Sequence, residues 1–118
     1  MNEEAIPTES NLVSIEDFSK IELRVARVVE ASTIEGADRL LKLIVDLGGG
    51  ETRQLVAGIR VSYQPDELTG KHIIVVANLK PAKLRGVESQ GMLLAATSDR
   101  GPVLATFERE VAPGSKVK

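Results

Sequence analysis

The stretch RLLKLIVDLGGGETRQLVAGI, residues 39–59, decides the fold class. Leu41, Leu43, Val45 and Leu47 fall on every second position, with Lys42 and Asp46 between them. Period two is the spacing of a strand that packs one face on a core and turns the other to water; a helix would space its apolar residues by three and four. Gly48, Gly49, Gly50 and Glu51 supply a turn, and residues 53–59 return as a partner strand. A glycine-rich phosphate cradle is a weak alternative for the three glycines, because neither a helix nor a Gly-Lys-Ser/Thr sequence follows.

Outward from this hairpin the strand pattern continues. In IELRVARVVEA, residues 21–31, Ile21, Leu23 and Val25 alternate with Glu22 and Arg24, and the phase slips near Ala26-Arg27. A β-bulge or sharp bend is the simplest cause, and a bent first strand can serve two sheets of a closing barrel. Residues 35–38, EGAD, read as a loop. Ser14 with Asp17 forms a capping pair for a helical turn reaching about Lys20. SYQPDELTGK, residues 62–71, reads as a short helix with Pro65 in its first turn and Gly70 at its end. HIIVVAN (72–78) and GMLLAAT (91–97) are nearly all apolar and read as strands buried on both faces, followed by VLATFE and VAPGSKVK.

Five short strands with a helix between the third and fourth predict an all-β OB-fold, a five-stranded Greek-key barrel; a β-sandwich is the alternative. Residues 14–118 form that domain, and residues 1–13 are a polar, acidic tail or linker remnant. A chain of 118 residues, 42% hydrophobic and 27% charged, suits one soluble domain with one core. The absence of cysteine removes disulfides and thiolate metal sites. No apolar run approaches the roughly 20 residues that span a bilayer, and the acidic N-terminus lacks the apolar region of a signal peptide. A cytoplasmic location and no membrane contact are expected.

Charge is unevenly spread. The overall balance is −2, yet five of the 17 acidic residues and none of the 15 Lys and Arg lie in residues 1–17, which leaves the body at +3. A mildly basic body permits a polyanionic partner. The segment NLKPAKLRGVESQ, residues 78–90, is then the loop between strands four and five, which in OB-folds flanks the ligand face. It holds Lys80, Lys83 and Arg85, with Pro81 to stiffen it and Gly86 to allow a sharp turn. Asn78 and Ser89 can donate to phosphate or base edges. Arg39, Lys42, Arg53 and Arg24 could converge beside this loop once the barrel closes. The plainer alternative, cations that keep a loop soluble, stands beside the ligand reading, and Met92 by itself reads as core.

Enzyme chemistry has little to work with. The single histidine, His72, opens a strand without a nucleophile or orienting partner in its sequence context. No catalytic constellation, metal-ligand cluster or cofactor motif is present. Phe18, Tyr63 and Phe107 are the only aromatic residues. Single-strand binders of the OB class stack bases on several exposed rings, each worth about 1–3 kcal/mol. Here Phe18 and Phe107 are expected in the core and Tyr63 beside the short helix, so a partner held through phosphates and backbone shape fits better.

The segments DFSKIELRVARVVEA, ADRLLKLIVDLGG, VAGI, ELTGKHIIVVANLKPAKLRGVESQGMLLAA and PGSKVK resemble the tRNA-binding domain family over about residues 15–118. The pattern N-L-x-P-x-K-x-x-G-x-x-S-x-G-M is its most specific part. The acidic lead-in and the ending look most like the branch appended to bacterial methionyl-tRNA synthetase. The resemblance implies an OB-fold, a symmetric homodimer and shape-directed tRNA binding, without chemistry of its own, as a module tethered to that synthetase's catalytic body. It implies tRNA contacts at Asn78, Lys80, Lys83, Ser89 and Met92, flanked by Arg39, Lys42 and Arg53, to which the loop reading adds Arg85. It also implies that residues 102–118 help form the dimer, with Val103, Ala105 and Phe107 on one side of an interface strand. Ala26 stands where glycine is common in the family, so the bend must accommodate a methyl group. A peptide-binding, chaperone-like dimer of the same fold and a pure dimerisation module are the competing functions.

Overall fold

The computed structural model describes residues 11–118; residues 1–10 of the acidic lead-in lie outside them, so only the end of the expected tail is described. The Ser14 side chain accepts the Asp17 N–H at 3.0 Å and starts α1 (Ile15–Phe18) as its sequence requires. β1 (Leu23–Ile34), β2 (Ala37–Asp46) and β3 (Thr52–Ala57) form an antiparallel meander. Only two residues, Glu35 and Gly36, connect β1 to β2, so the expected loop is a tight hairpin turn.

α2 (Pro65–Leu68) follows, with Pro65 at its start and a capping box between Gln64 and Glu67. The chain then returns as β4 (His72–Val76) along the first half of β1. A ribbon of β5 (Ala82–Leu84) and β6 (Val87–Ser89) comes next, then β7 (Met92–Leu93) against β4. A hairpin of β8 (Ala95–Ser98) and β9 (Gly101–Leu104) precedes β10 (Lys116–Val117), which pairs with β1. The main sheet runs β3-β2-β1-β4-β7.

The period-two row on β2 builds the core as predicted. Leu41, Leu43, Val45 and Leu47 are fully buried, with Leu55, Ile73, Val75 and Leu68 against them. Each such side chain contributes roughly 1.5–3 kcal/mol by leaving water. The irregularity of β1 lies elsewhere than the pattern suggested. Val28 opposes Val45 and Glu30 opposes Ile44, so Val29 is the extra, bulged residue. Ala26 is fully buried in the core, and its methyl group is accommodated there. The apparent slip arises because Val25 and Ala26 are both buried on opposite faces. Val25 exchanges backbone bonds with Ser115 and Gly114 of the C-terminal segment, which covers its side.

Three further expectations need correction. Residues 91–97 are not one buried strand: β7 stops at Leu93, and all four residues of β8 are exposed on a separate hairpin. β4 buries Ile73 and Val75 on one face, while on the other Val76 is buried and His72 and Ile74 are only half-covered. Phe18 is 45% exposed rather than core. The barrel, too, is incomplete as a ladder. Among the described residues no strand pairing joins β3 to β7, and the seam is crossed by other means.

Gly48 and Gly114 mark where the C-terminal segment meets the β2–β3 turn. Both have positive φ, +85° and +93°, and a Cβ on Gly114 would collide with the Leu47 carbonyl oxygen. Gly49, at φ +60°, faces open space. Gly49→Ala should therefore meet only the left-handed penalty of about 1–2 kcal/mol. Gly114→Ala adds a backbone collision and should lose about 2–5 kcal/mol in a denaturant titration. Equal losses would show that this close approach does not constrain the fold.

Candidate functional site

The segment after β4 is a built element and not a plain loop. Ala82 faces Ser89, Lys83 faces Glu88 and Leu84 faces Val87, and the two-residue turn Arg85-Gly86 closes the ribbon. Both turn residues have positive φ, 52° at Arg85 and 79° at Gly86, the conformation of a type I′ hairpin. Gly86 adopts it without strain, whereas Arg85 is the one non-glycine residue with positive φ among those described.

Strand alternation sorts the ribbon's faces. Ala82, Leu84, Val87 and Ser89 share one face, and Lys83 and Glu88 share the other. Lys80, Lys83 and Arg85 are exposed, and among the described residues none of their side chains has a hydrogen-bond or ion-pair partner. Glu88 opposes Lys83 without closing a salt bridge. Leu79, Leu84 and Met92 are 46%, 40% and 46% exposed, placing apolar side chains among the cations. Met92 is thus open to a partner, as the resemblance implies and its reading as core did not.

The other polar residues singled out by sequence do structural work at the ribbon's base. Asn78 accepts the Glu22 N–H at 2.8 Å through Oδ1 and donates to the Lys20 carbonyl at 2.6 Å through Nδ2, tying the ribbon's start to the α1–β1 link. Ser89 is 5% exposed. Its hydroxyl accepts the Val56 N–H and donates to the Gly91 carbonyl, both at 2.9 Å. Arg53 donates through Nη1 to Ala77 O at 2.6 Å and Gln90 O at 3.2 Å, and its Nη2 lies 2.9 Å from Glu51 Oε2. These three residues hold the protein to itself: the Ser89 hydroxyl is fully engaged, while the exposed Asn78 keeps one amide N–H and Arg53 one guanidinium N–H without a partner among the described residues.

The remaining cations divide. Arg24 bonds the Leu47 and Gly114 carbonyls and pairs with Glu51 at 3.4 Å, so it belongs to the same internal network. Lys42 sits half-buried on the outer row of β2, opposite Val56, the residue whose amide Ser89 caps. It is one strand from the ribbon's foot. Arg39 is exposed and lies in the stretch 38–40 where the register of β2 with β1 slips, so the alternation that places Lys42 does not extend to it. His72 is half-buried at the start of β4, beside Arg27, and its carbonyl accepts the Thr106 hydroxyl.

Sequence reading missed Gln54 and Gln90. Gln90 gives its amide N–H to Gln54 O at 2.7 Å and accepts the Gln54 N–H through Oε1 at 2.9 Å, and the Gln54 side chain donates to Glu88 O. Two glutamines in polar stretches carry no signal for such a pairing. The site is therefore a cationic tip on a hydrogen-bonded base. Three unneutralised cations on a protruding ribbon suit a chain of phosphates, and their attraction is screened by salt because they stand in water.

A model of the family described as tRNA binding domain matches residues 23–116. The chain is 55% identical over 114 residues to the methionine–tRNA ligase of Thermotoga maritima, covering 97% of this chain and 18% of that ligase. The structure matches a MetRS related protein from Pyrococcus horikoshii with TM-score 0.83 and 42% identity, over 91% of this chain and 98% of that one. It matches a CsaA chaperone protein from Picrophilus torridus with TM-score 0.84 and 31% identity, over 91% and 100%. The chain thus spans under a fifth of the ligase but nearly all of the two smaller structures.

Ser89→Ala leaves the buried Val56 N–H without its acceptor. It should lower unfolding free energy by about 1–3 kcal/mol in a urea titration. An unchanged midpoint would return Ser89 to the ligand-contacting set.

Proposed function

Because the chain belongs to the tRNA-binding domain family, we propose that it binds tRNA through the β5–β6 ribbon and does so as a non-catalytic domain appended to a methionine–tRNA ligase. The observation that carries this reading is the set of exposed cations Lys80, Lys83 and Arg85, unpaired among the described residues, on a ribbon whose base is fixed. Such a surface recognises phosphate positions and the shape of a folded RNA and carries little base information. Lys42 and Met92 extend the contact, with Arg39 as a further flanking cation. Tethering converts capture of tRNA into an intramolecular encounter with the catalytic body and raises the effective substrate concentration there. That role belongs in the cytoplasm.

We further propose that the chain works as a homodimer. The β8–β9 hairpin leaves Ala95 and Ala96 exposed and Val103 50% exposed, with the 64% exposed Val61 against Gly101 at its end. These exposed apolar side chains are what supports an interface role for residues 102–118; β9 ends at Leu104, so Ala105 and Phe107 do not continue the expected interface strand. Val103→Glu should shift the sedimenting species from dimer to monomer while leaving the circular dichroism spectrum intact. A monomeric parent, or a dimeric variant, would remove this hairpin from the interface.

Lys80, Lys83 and Arg85 changed together to Glu should abolish the tRNA gel shift of the parent chain without changing its unfolding transition. Loss of three phosphate contacts lowers the slope of log affinity against log salt by roughly 2–3. Retained binding would place the site elsewhere. Equal capture of unfolded polypeptide by parent and triple variant, without tRNA binding by either, would instead favour the chaperone-like reading that the CsaA likeness raises.

A further inference from the structure

We propose that Arg53 is a positioning residue for the tRNA site, a fork that clasps both feet of the cationic ribbon and sets its angle; this rests on the ribbon being the tRNA-binding element. Ala77 and Gln90 flank the segment that carries all three tip cations. Among the described residues, Arg53 is the one side chain bonded to both of them.

Its donors leave little for a ligand. The guanidinium has five N–H groups. Nη1 is shared between the carbonyls of Ala77 and Gln90, and Nε and Nη2 both meet Glu51 Oε2, at 3.2 and 2.9 Å. Four of the five are thus committed inside the protein. Glu51 is itself fixed, because its other oxygen pairs with Arg24, and Arg24 bonds the carbonyls of Leu47 and Gly114. The fork is held from behind by groups already tied to the sheet.

The ribbon needs such a base. β5 and β6 have only three residues each, and an isolated two-stranded hairpin of that size is marginal in water. It also acts as a lever. Three strand residues span about 10 Å, so a swing of about 15° at the root moves the tip by about 3 Å. That displacement is enough to take a cation out of contact with its phosphate.

The test uses the 118-residue chain and its tRNA affinity across a salt series. Arg53→Met should weaken binding by about tenfold, the factor for ordering one or two more side chains on binding. The salt slope should not change, because no phosphate contact is lost. A direct contact would reduce the slope by about 0.7–0.9. Glu51→Ala should also weaken binding although it removes a negative charge; if Arg53 acted simply as a free cation, that change would strengthen it. In both variants, without tRNA, the amides of residues 82–89 should exchange faster while those of β2 keep their protection. If Arg53→Met does not fold, Arg53→Lys serves, because a single ammonium cannot reproduce the fork and should weaken binding at unchanged slope.

A lowered slope, a Glu51→Ala variant that binds as well as the parent, full affinity in Arg53→Lys, or unaltered ribbon exchange would each overturn the proposal. A parent chain that fails to bind tRNA would sink the tRNA reading instead, and the exchange measurement would still decide whether Arg53 clamps the ribbon.

Discussion

The outer edge of β3 sets the terms for the rest of the molecule. An edge strand presents unpaired N–H and C=O groups that must be met by something. Here they are met by residues 88–90. Gln90 closes a two-way bond with Gln54, and the Ser89 hydroxyl accepts the Val56 N–H. The curled sheet is completed here by one backbone bond and side-chain caps, without a continuous ladder of backbone pairing. A backbone ladder would have absorbed the whole segment after β4 into the sheet. This mixed capping holds its last three residues, and the part before them rises as a ribbon.

Charge is distributed to match. Arg24 and Arg53 are half-buried and share one carboxylate, Glu51, with side-chain exposures of 22% and 24%. Ion pairs in such positions lose much of their Coulomb gain to desolvation, so their worth lies more in fixing geometry than in stabilising the fold. Among the described residues the exposed tip cations have no such partners. One residue type therefore serves two purposes, and surroundings decide which. At the base, cations tie carbonyl groups together; at the tip, they remain open to a polyanion.

That dual use explains what the sequence disclosed and what it concealed. The alternating row from Leu41 to Leu47, the Ser14 cap and the Pro65–Gly70 boundaries depend on local rules and were legible. Asn78, Ser89 and Arg53 were not, because a side chain that can donate to phosphate can equally serve a backbone group, and the choice is made by residues far along the chain. Asn78 meets Glu22, Ser89 meets Val56, and Arg53 meets Ala77 and Gln90. The run from Gly91 to Thr97 misled for a related reason. Apolar composition predicts burial only when another element covers it, and among the described residues the one strand that β8 pairs with is its hairpin partner β9. The slip at Ala26 was real as a pattern, but it recorded a strand buried on two sides, with the bulge itself at Val29.

Arg85 joins these threads. A type I′ turn is relaxed with Asn or Gly in its first position, and arginine there costs about 1–2 kcal/mol. Nothing at the base of the ribbon requires this side chain, since among the described residues it bonds to none. Strain retained at an exposed position without an internal partner is a sign of use outside the fold. The turn is the ribbon's farthest point from the sheet, where a cation meets a phosphate with least hindrance from the protein's own surface. It is also where an error in the ribbon's angle is largest. A strained charge at the end of a lever is effective only if the lever is stiff, so the conformation of Arg85 and the clasp of Arg53 on the ribbon's feet are two requirements of the same surface.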